Sequence, residues 1–139
     1  MALDMGMSPQ TAIRPPADGI TERVDPVSVL DERTLSHASE GPVEAGRYIE
    51  VQGAERTLLI PVKEDVIHIG RGLNADLHLD ESSVSRRHAI LVPRTNGARV
   101  LDDRSSNGTF VNGRRVQQAD LSNGDVIVIG RVVLRYLEL

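Results

Sequence analysis

Residues 107–130 read NGTFVNGRRVQQADLSNGDVIVIG. Three Asn-Gly pairs, Asn107-Gly108, Asn112-Gly113 and Asn123-Gly124, punctuate runs of Val, Ile and Leu within this stretch. Asn-Gly tolerates the positive φ that tight reversals need, so each pair between β-branched runs predicts a hairpin. A fourth pair, Asn96-Gly97, stands just upstream. Working outward, short apolar runs predict strands over residues 47–51, 57–62, 66–69, 76–79, 88–92, 98–101, 109–111, 114–117, 125–129 and 132–137. Ile67 and Ile69 flank His68, and Leu77 and Leu79 flank His78. That alternation belongs to half-buried strands and predicts that both histidines face water. Strands this short, at this spacing, predict an all-β, mostly antiparallel sandwich over residues 46–139.

Upstream the pattern stops. Residues 1–45 carry Pro9, Pro15, Pro16, Pro26 and Pro42 and no sustained apolar period. They also hold eight acidic residues against three arginines, so they more than account for the net charge of −4. Little apolar surface is available there to offset ordering entropy, which predicts a flexible acidic N-terminal tail over 1–45. Only Val27–Leu35 is compatible with a short helical turn.

Composition excludes several functions. There is no Trp, one Phe (Phe110) and two Tyr (Tyr48, Tyr136), so the core must be aliphatic and no aromatic platform for single-stranded nucleic acid exists. The folded part is nearly neutral, unlike a nucleic-acid reader with a basic face. Cysteine is absent, which removes disulfides and thiolate metal sites. His37, His68, His78 and His88 lack metal-ligand spacing. The one lysine, Lys63, follows no glycine-rich phosphate loop. Ser85 and His88 have no evident orienting acid, and Asp102 and Asp103 read as solvated loop acids, so catalysis is not expected. No run approaches a membrane span and no secretory leader is evident, so a cytoplasmic protein without cofactor, metal or membrane partner is expected.

What remains is a set of polar residues at strand ends. Arg71 can fork two hydrogen bonds to a tetrahedral anion, Ser85 and Ser106 can add hydroxyl donors, and Arg86 a second cation. Asn107 can donate and accept at once, which suits a peptide backbone. Gly70-Arg71, Ser85-Arg86-Arg87-His88, Ser106-Asn107-Gly108-Thr109 and Asn112-Gly113, in this order and at this spacing, closely resemble the forkhead-associated (FHA) family. The resemblance covers about Arg47–Leu139. It implies a sandwich of about eleven strands whose loops at one end bind phosphothreonine peptides. It further implies phosphate contacts from Arg71, Ser85, Arg86 and Ser106, and backbone contact from Asn107. Gly70, His88, Gly108, Asn112 and Gly113 are then structural parts of the motif. Selection of the third residue after the phosphothreonine falls near Ser83 and Arg104.

The expected partners are phosphothreonine-containing proteins and a Ser/Thr protein kinase. Members that stand alone with a phosphorylatable extension dock that extension on their own domain, which makes Thr21 and Thr34 candidate modification sites and the tail a candidate ligand. The competing reading is a phosphate-independent interaction or scaffolding module that binds through a sheet face.

Overall fold

The computed structural model describes residues 23–41 and 44–139. Eleven strands are described: β1 Arg47–Gln52, β2 Thr57–Val62, β3 Ile67–Gly70, β4 Leu77–His78, β5 Ala89–Arg94, β6 Gly97–Asp102, β7 Thr109–Val111, β8 Arg114–Val116, β9 Gln118–Leu121, β10 Val126–Ile129 and β11 Val132–Glu138. They form a five-stranded sheet in the order β9-β6-β5-β3-β4 and a six-stranded sheet in the order β2-β1-β11-β10-β7-β8. Every pairing is antiparallel except β3 with β4, where Ile69 meets Leu77 and Gly70 meets His78.

Side-chain alternation supplies the core. On β11, Val132, Leu134 and Tyr136 point inward, and Ala89 and Leu91 do so on β5. Ile49, Val51, Val100, Ile127 and Ile129 complete an interior that is almost wholly aliphatic. Each such side chain contributes roughly 1.5–3 kcal/mol on burial. Tyr136, Phe110 and Tyr48 are buried aromatic exceptions; the Tyr136 hydroxyl donates to Glu138 Oε2 at 2.8 Å, which satisfies the one polar atom it carries inward.

The predicted strands are present with small shifts at their ends, and one was missed. The expected run 114–117 is really the short β8, followed by β9 in the opposite sheet. β9 alternates exposed Gln118 and Asp120 with Ala119 and Leu121 and so shows no apolar run; it is held by pairing with β6, including Arg99 Nε to Asp120 Oδ1 at 2.7 Å.

The larger difference lies upstream. The described part of the expected flexible tail is ordered and seated on the sandwich. Pro26–Val29 forms a 3-10 turn capped by Asp25, and Glu32–Ser36 forms α1, capped by Asp31 through Thr34 N at 2.8 Å. Leu30 bridges Leu79 beyond β4, and Ser39 bridges Leu59 of β2 through hydrogen bonds of 2.9 and 2.7 Å. β4 and β2 are the edge strands of the two sheets, so this strap caps the open mouth between them. Its anchors, Val24, Val27, Leu30 and Leu35, are too sparse to show a period, yet each finds the core. No helix among the described residues is long and apolar enough to cross a membrane.

Candidate functional site

Three loops meet at one end of the sandwich: 71–76 after β3, 79–88 after β4 and 103–108 after β6. Their approach is fixed by backbone bonds. Arg71 N donates to Ser85 O at 2.9 Å and Gly72 N to Arg86 O at 3.1 Å. Gly70 makes this possible, since a Cβ there would lie 2.1 Å from Arg86 O. Arg71 is then aimed by its own Nε, which donates to the Val84 carbonyl at 3.0 Å. That bond leaves both terminal guanidinium nitrogens without a partner among the described residues.

Ser85 is held from two sides. Its amide donates to His88 Nδ1 at 3.0 Å, and its Oγ accepts from Ser106 N at 2.9 Å. With the oxygen engaged as an acceptor, the hydroxyl proton is left to donate outward. His88 is 0% exposed, and its Nε2 donates to Gly108 O at 2.9 Å. Accepting at Nδ1 and donating at Nε2 requires the neutral ring. Burial pushes the pKa of His88 below the usual histidine value, against the pull of the Gly108 carbonyl and the Asp102 carboxylate. The ring thus ties the second loop to the third, as the motif implied.

The third loop is built by Asp102, expected as a solvated acid, together with Ser105 and Thr109. Asp102 accepts from Ser105 Oγ at 2.5 Å, Ser105 N at 3.2 Å and Thr109 Oγ1 at 2.7 Å, and Ser105 Oγ in turn accepts from Gly108 N at 2.9 Å. Burial alone would raise the pKa of Asp102, but the bonds from Ser105 and Thr109, with His88 nearby, hold its carboxyl below the usual range. It is a loop builder, not a solvated acid, and the Asp-x-x-Ser spacing was the available signal. Asp103 pairs with Arg87 at 3.0 Å, so Arg87 is an ion-pair partner rather than a bare solvated charge. Arg115 packs over Gly108, where a Cβ would lie 2.7 Å from its Nε.

Asn107 is exposed and donates from Nδ2 to Ser83 O at 2.9 Å, which orients the amide and leaves its Oδ1 without a partner among the described residues. Ser83 itself is committed to the fold: its Oγ accepts from Arg131 N at 2.8 Å, and its N donates to Glu81 Oε2 at 3.0 Å. Ser85, Arg86, Arg87, Asp103, Arg104 and Ser106 line a surface depression of about 300 Å³.

The structure therefore brings Arg71, Ser85, Arg86, Ser106 and Asn107 to one rim, with Gly70, His88 and Gly108 beneath it. Asn112 and Gly113 are elsewhere, closing the β7–β8 hairpin with φ of 52° and 83°. Thr34 is 2% exposed on α1 and accepts from His78 N at 3.2 Å, so a kinase reaches its hydroxyl only if the helix leaves. Thr21 lies outside the described residues. His78, expected to face water, is 9% exposed beneath the strap, whereas His68 is exposed as expected.

Comparison with known proteins agrees with this geometry. The FHA domain model matches residues 67–130. The ABC transporter ATP-binding/permease protein Rv1747 of Mycobacterium tuberculosis is 46% identical over 72 residues, which span 52% of this chain and only 8% of the transporter. The glycogen accumulation regulator GarA of the same organism is 33% identical over 121 residues, covering 87% of this chain and 75% of GarA. A structure solved in work on phosphothreonine-dependent FHA domain interactions matches with a TM-score of 0.60 and 33% identity, over 67% of this chain and 96% of that one. With a β-sandwich, three stitched loops and a relative aligned over most of both sequences, the chain belongs to the forkhead-associated family.

Proposed function

We propose that this protein binds phosphothreonine-containing segments of partner proteins at the rim formed by Arg71, Ser85, Arg86, Ser106 and Asn107. The observation that carries the reading is the state of Arg71 and Ser85. The side chain of each is fixed by the fold through one atom, Nε and Oγ respectively, and keeps its remaining donors free. A phosphothreonine offers nearly two negative charges and three acceptor oxygens. Arg71 supplies the forked pair, Ser85 and Ser106 the hydroxyl donors, and Arg86 the second cation. Asn107 Oδ1 and its remaining amide proton suit the peptide backbone beside the phosphate.

Such binding needs neither a cofactor nor bond cleavage, and the reading is of a non-enzymatic module. It acts downstream of a Ser/Thr protein kinase, in the cytoplasm, where that kinase has ATP. A tail phosphorylated on Thr21 is a further ligand for the same rim; Thr34 can serve this way only after α1 undocks. The sheet-face reading gains no support from the surface. Among the described residues the exposed large apolar side chains are Val66, Leu73 and Leu139, which lie before β3, in a loop and at the last residue rather than on a sheet.

The test is calorimetric titration with peptides from a phosphothreonine library. Arg71→Ala is expected to lose about 3 kcal/mol of binding, on the order of a hundredfold, while the melting curve stays put. Equal affinity for phosphorylated and unphosphorylated peptide, or binding indifferent to Arg71→Ala, would sink the reading.

A further inference from the structure

The loop that carries Arg71 has little to hold it. Leu73, at its tip, is 86% exposed, so no apolar side chain anchors the tip. On the rim side the loop is stitched to Ser85 and Arg86, and at its end Asp76 bonds to His68 of β3; between these its carbonyls are tied to the N-terminal strap, directly or through His78 of β4. The Arg71 carbonyl accepts from His78 Nε2 at 3.0 Å. The Leu73 and Ala75 carbonyls both accept from the Arg33 guanidinium of α1, the former at 3.4 Å. His78 is itself held by the strap: its amide donates to Thr34 Oγ1 at 3.2 Å, and its Nδ1 stands 3.5 Å from Asp31 Oδ2. Three carbonyls of residues 71–75 thus depend on Asp31, Arg33 and Thr34, directly or through one imidazole.

We infer that the strap is a support for the anion-binding loop: Asp31, Arg33, Thr34 and His78 are positioning residues that hold Arg71 in its binding conformation, so strap docking and phosphopeptide binding strengthen each other. The inference deepens the proposed function and rests on it. When α1 leaves, residues 71–76 gain conformations that do not place the guanidinium beside Ser85, and the apparent affinity falls by the fraction of molecules still competent. Coupling is reciprocal, so a bound phosphopeptide must hold the strap down by the same factor. It also shields Thr34, whose hydroxyl lies inside the contact.

Two variants of the full chain test this. Arg33 is exposed, so Arg33→Ala removes the two loop bonds without opening the core. Thr34→Val removes the buried acceptor at nearly constant shape, and Thr34→Ser restores it. The probe is the tightest phosphothreonine peptide of the library, read together with hydrogen exchange at the amides of Ala75 and Asp76, which bond within or beside the loop at 3.1 and 2.8 Å. Arg33→Ala and Thr34→Val are each expected to weaken binding on the order of tenfold. They should also speed exchange at those two amides in the unliganded protein while β5 and β10 stay protected, and Thr34→Ser should recover both. If Thr34→Val opens β10 as well, Arg33→Ala alone decides. Unchanged affinity, or unchanged loop exchange, overturns the inference. Because Arg71→Ala is measured alongside, strap variants that bind normally while Arg71→Ala fails refute the support and spare the site. An indifferent Arg71→Ala refutes the site itself.

Discussion

Asn107-Gly108 and Asn112-Gly113 are the same dipeptide five residues and one strand apart, and they do opposite things. At the hairpin, Asn112 turns its amide into the fold: Nδ2 donates to Asp125 Oδ1 at 3.0 Å and Oδ1 accepts from Val126 N at 2.9 Å. Both atoms are consumed, and the residue sits at a positive φ of 52° that few side chains tolerate. At the rim, Asn107 gives one bond to Ser83 O and keeps the rest of its amide for whatever arrives. Gly108 beside it has a φ of 90° and offers its carbonyl to His88. The other two pairs differ again. Asn123-Gly124 carries the chain from one sheet to the other, and Gly97 opens β6 opposite Arg94. The dipeptide encodes a change of direction; what is done with the freed side chain depends on which neighbours the fold brings.

The sharpest way to break the contrast is at Gly70, beneath the rim. Gly70→Ala forces a Cβ to 2.1 Å from the Arg86 carbonyl. The loops must part, and we expect a loss of roughly 3 kcal/mol in stability together with loss of phosphopeptide binding, read by thermal unfolding and titration. An Ala variant that melts and binds like the parent would show that the loops are not locked at this point.

The crossing pair comes next. Asn112→Ala is expected to cost about 1–2 kcal/mol of stability, through two lost bonds and the strained φ, with affinity unchanged. Asn107→Ala is expected to do the reverse, lowering affinity about tenfold and shifting stability by less than about 0.5 kcal/mol. Paired melts and titrations decide it; if both variants move the same quantity, the two dipeptides are not functionally distinct.

The smallest effect is that of pH, and it belongs to the rim. Burial holds the His88 pKa below 6.5, so between its folded value and 6.5 the unfolded chain takes up the proton and the folded chain does not. Stability is therefore complete above about pH 6.5 and declines as pH falls below it. Asp102 and Glu81 are held below 3.8 and 4.5, so they add a second loss only beneath about pH 4. Melting temperatures between pH 7.5 and 5 should fall for the parent and, in parallel with a constant offset, for Asn112→Ala. A curve flat through that range would remove His88 as the neutral tie between the loops. Peptide affinity should fall over the same range for a separate reason, the phosphate's own second pKa near 6.

The local record was rich wherever the structure is local. β-branched runs marked ten strand positions, polar residues near their ends drew attention to Arg71, Ser85, Ser106 and Asn107, and the family resemblance added Gly70. β9 escaped because exposed Gln118 and Asp120 break up its apolar residues and its partner, β6, is distant in sequence. His78 was misplaced because alternation speaks only of the two faces of a sheet, and a third layer, the strap, covers the outer one at that point. The strap escapes a periodicity reading because Val24, the Val27–Leu30 cluster and Leu35 are unevenly spaced and repeat with neither the helix nor the strand period.

By itself, then, the chain's order of residues determined an aliphatic β-sandwich and the donors available for an anion, because strand period and turn chemistry act over a few neighbouring residues. Only the tertiary structure decided that an acidic, proline-bearing segment closes the sandwich, which of four like turns stands at the Arg71 rim, and how Arg71 is aimed. Those outcomes rest on contacts between residues such as Thr34 and His78, or Arg71 and Val84, that no stretch of sequence contains together.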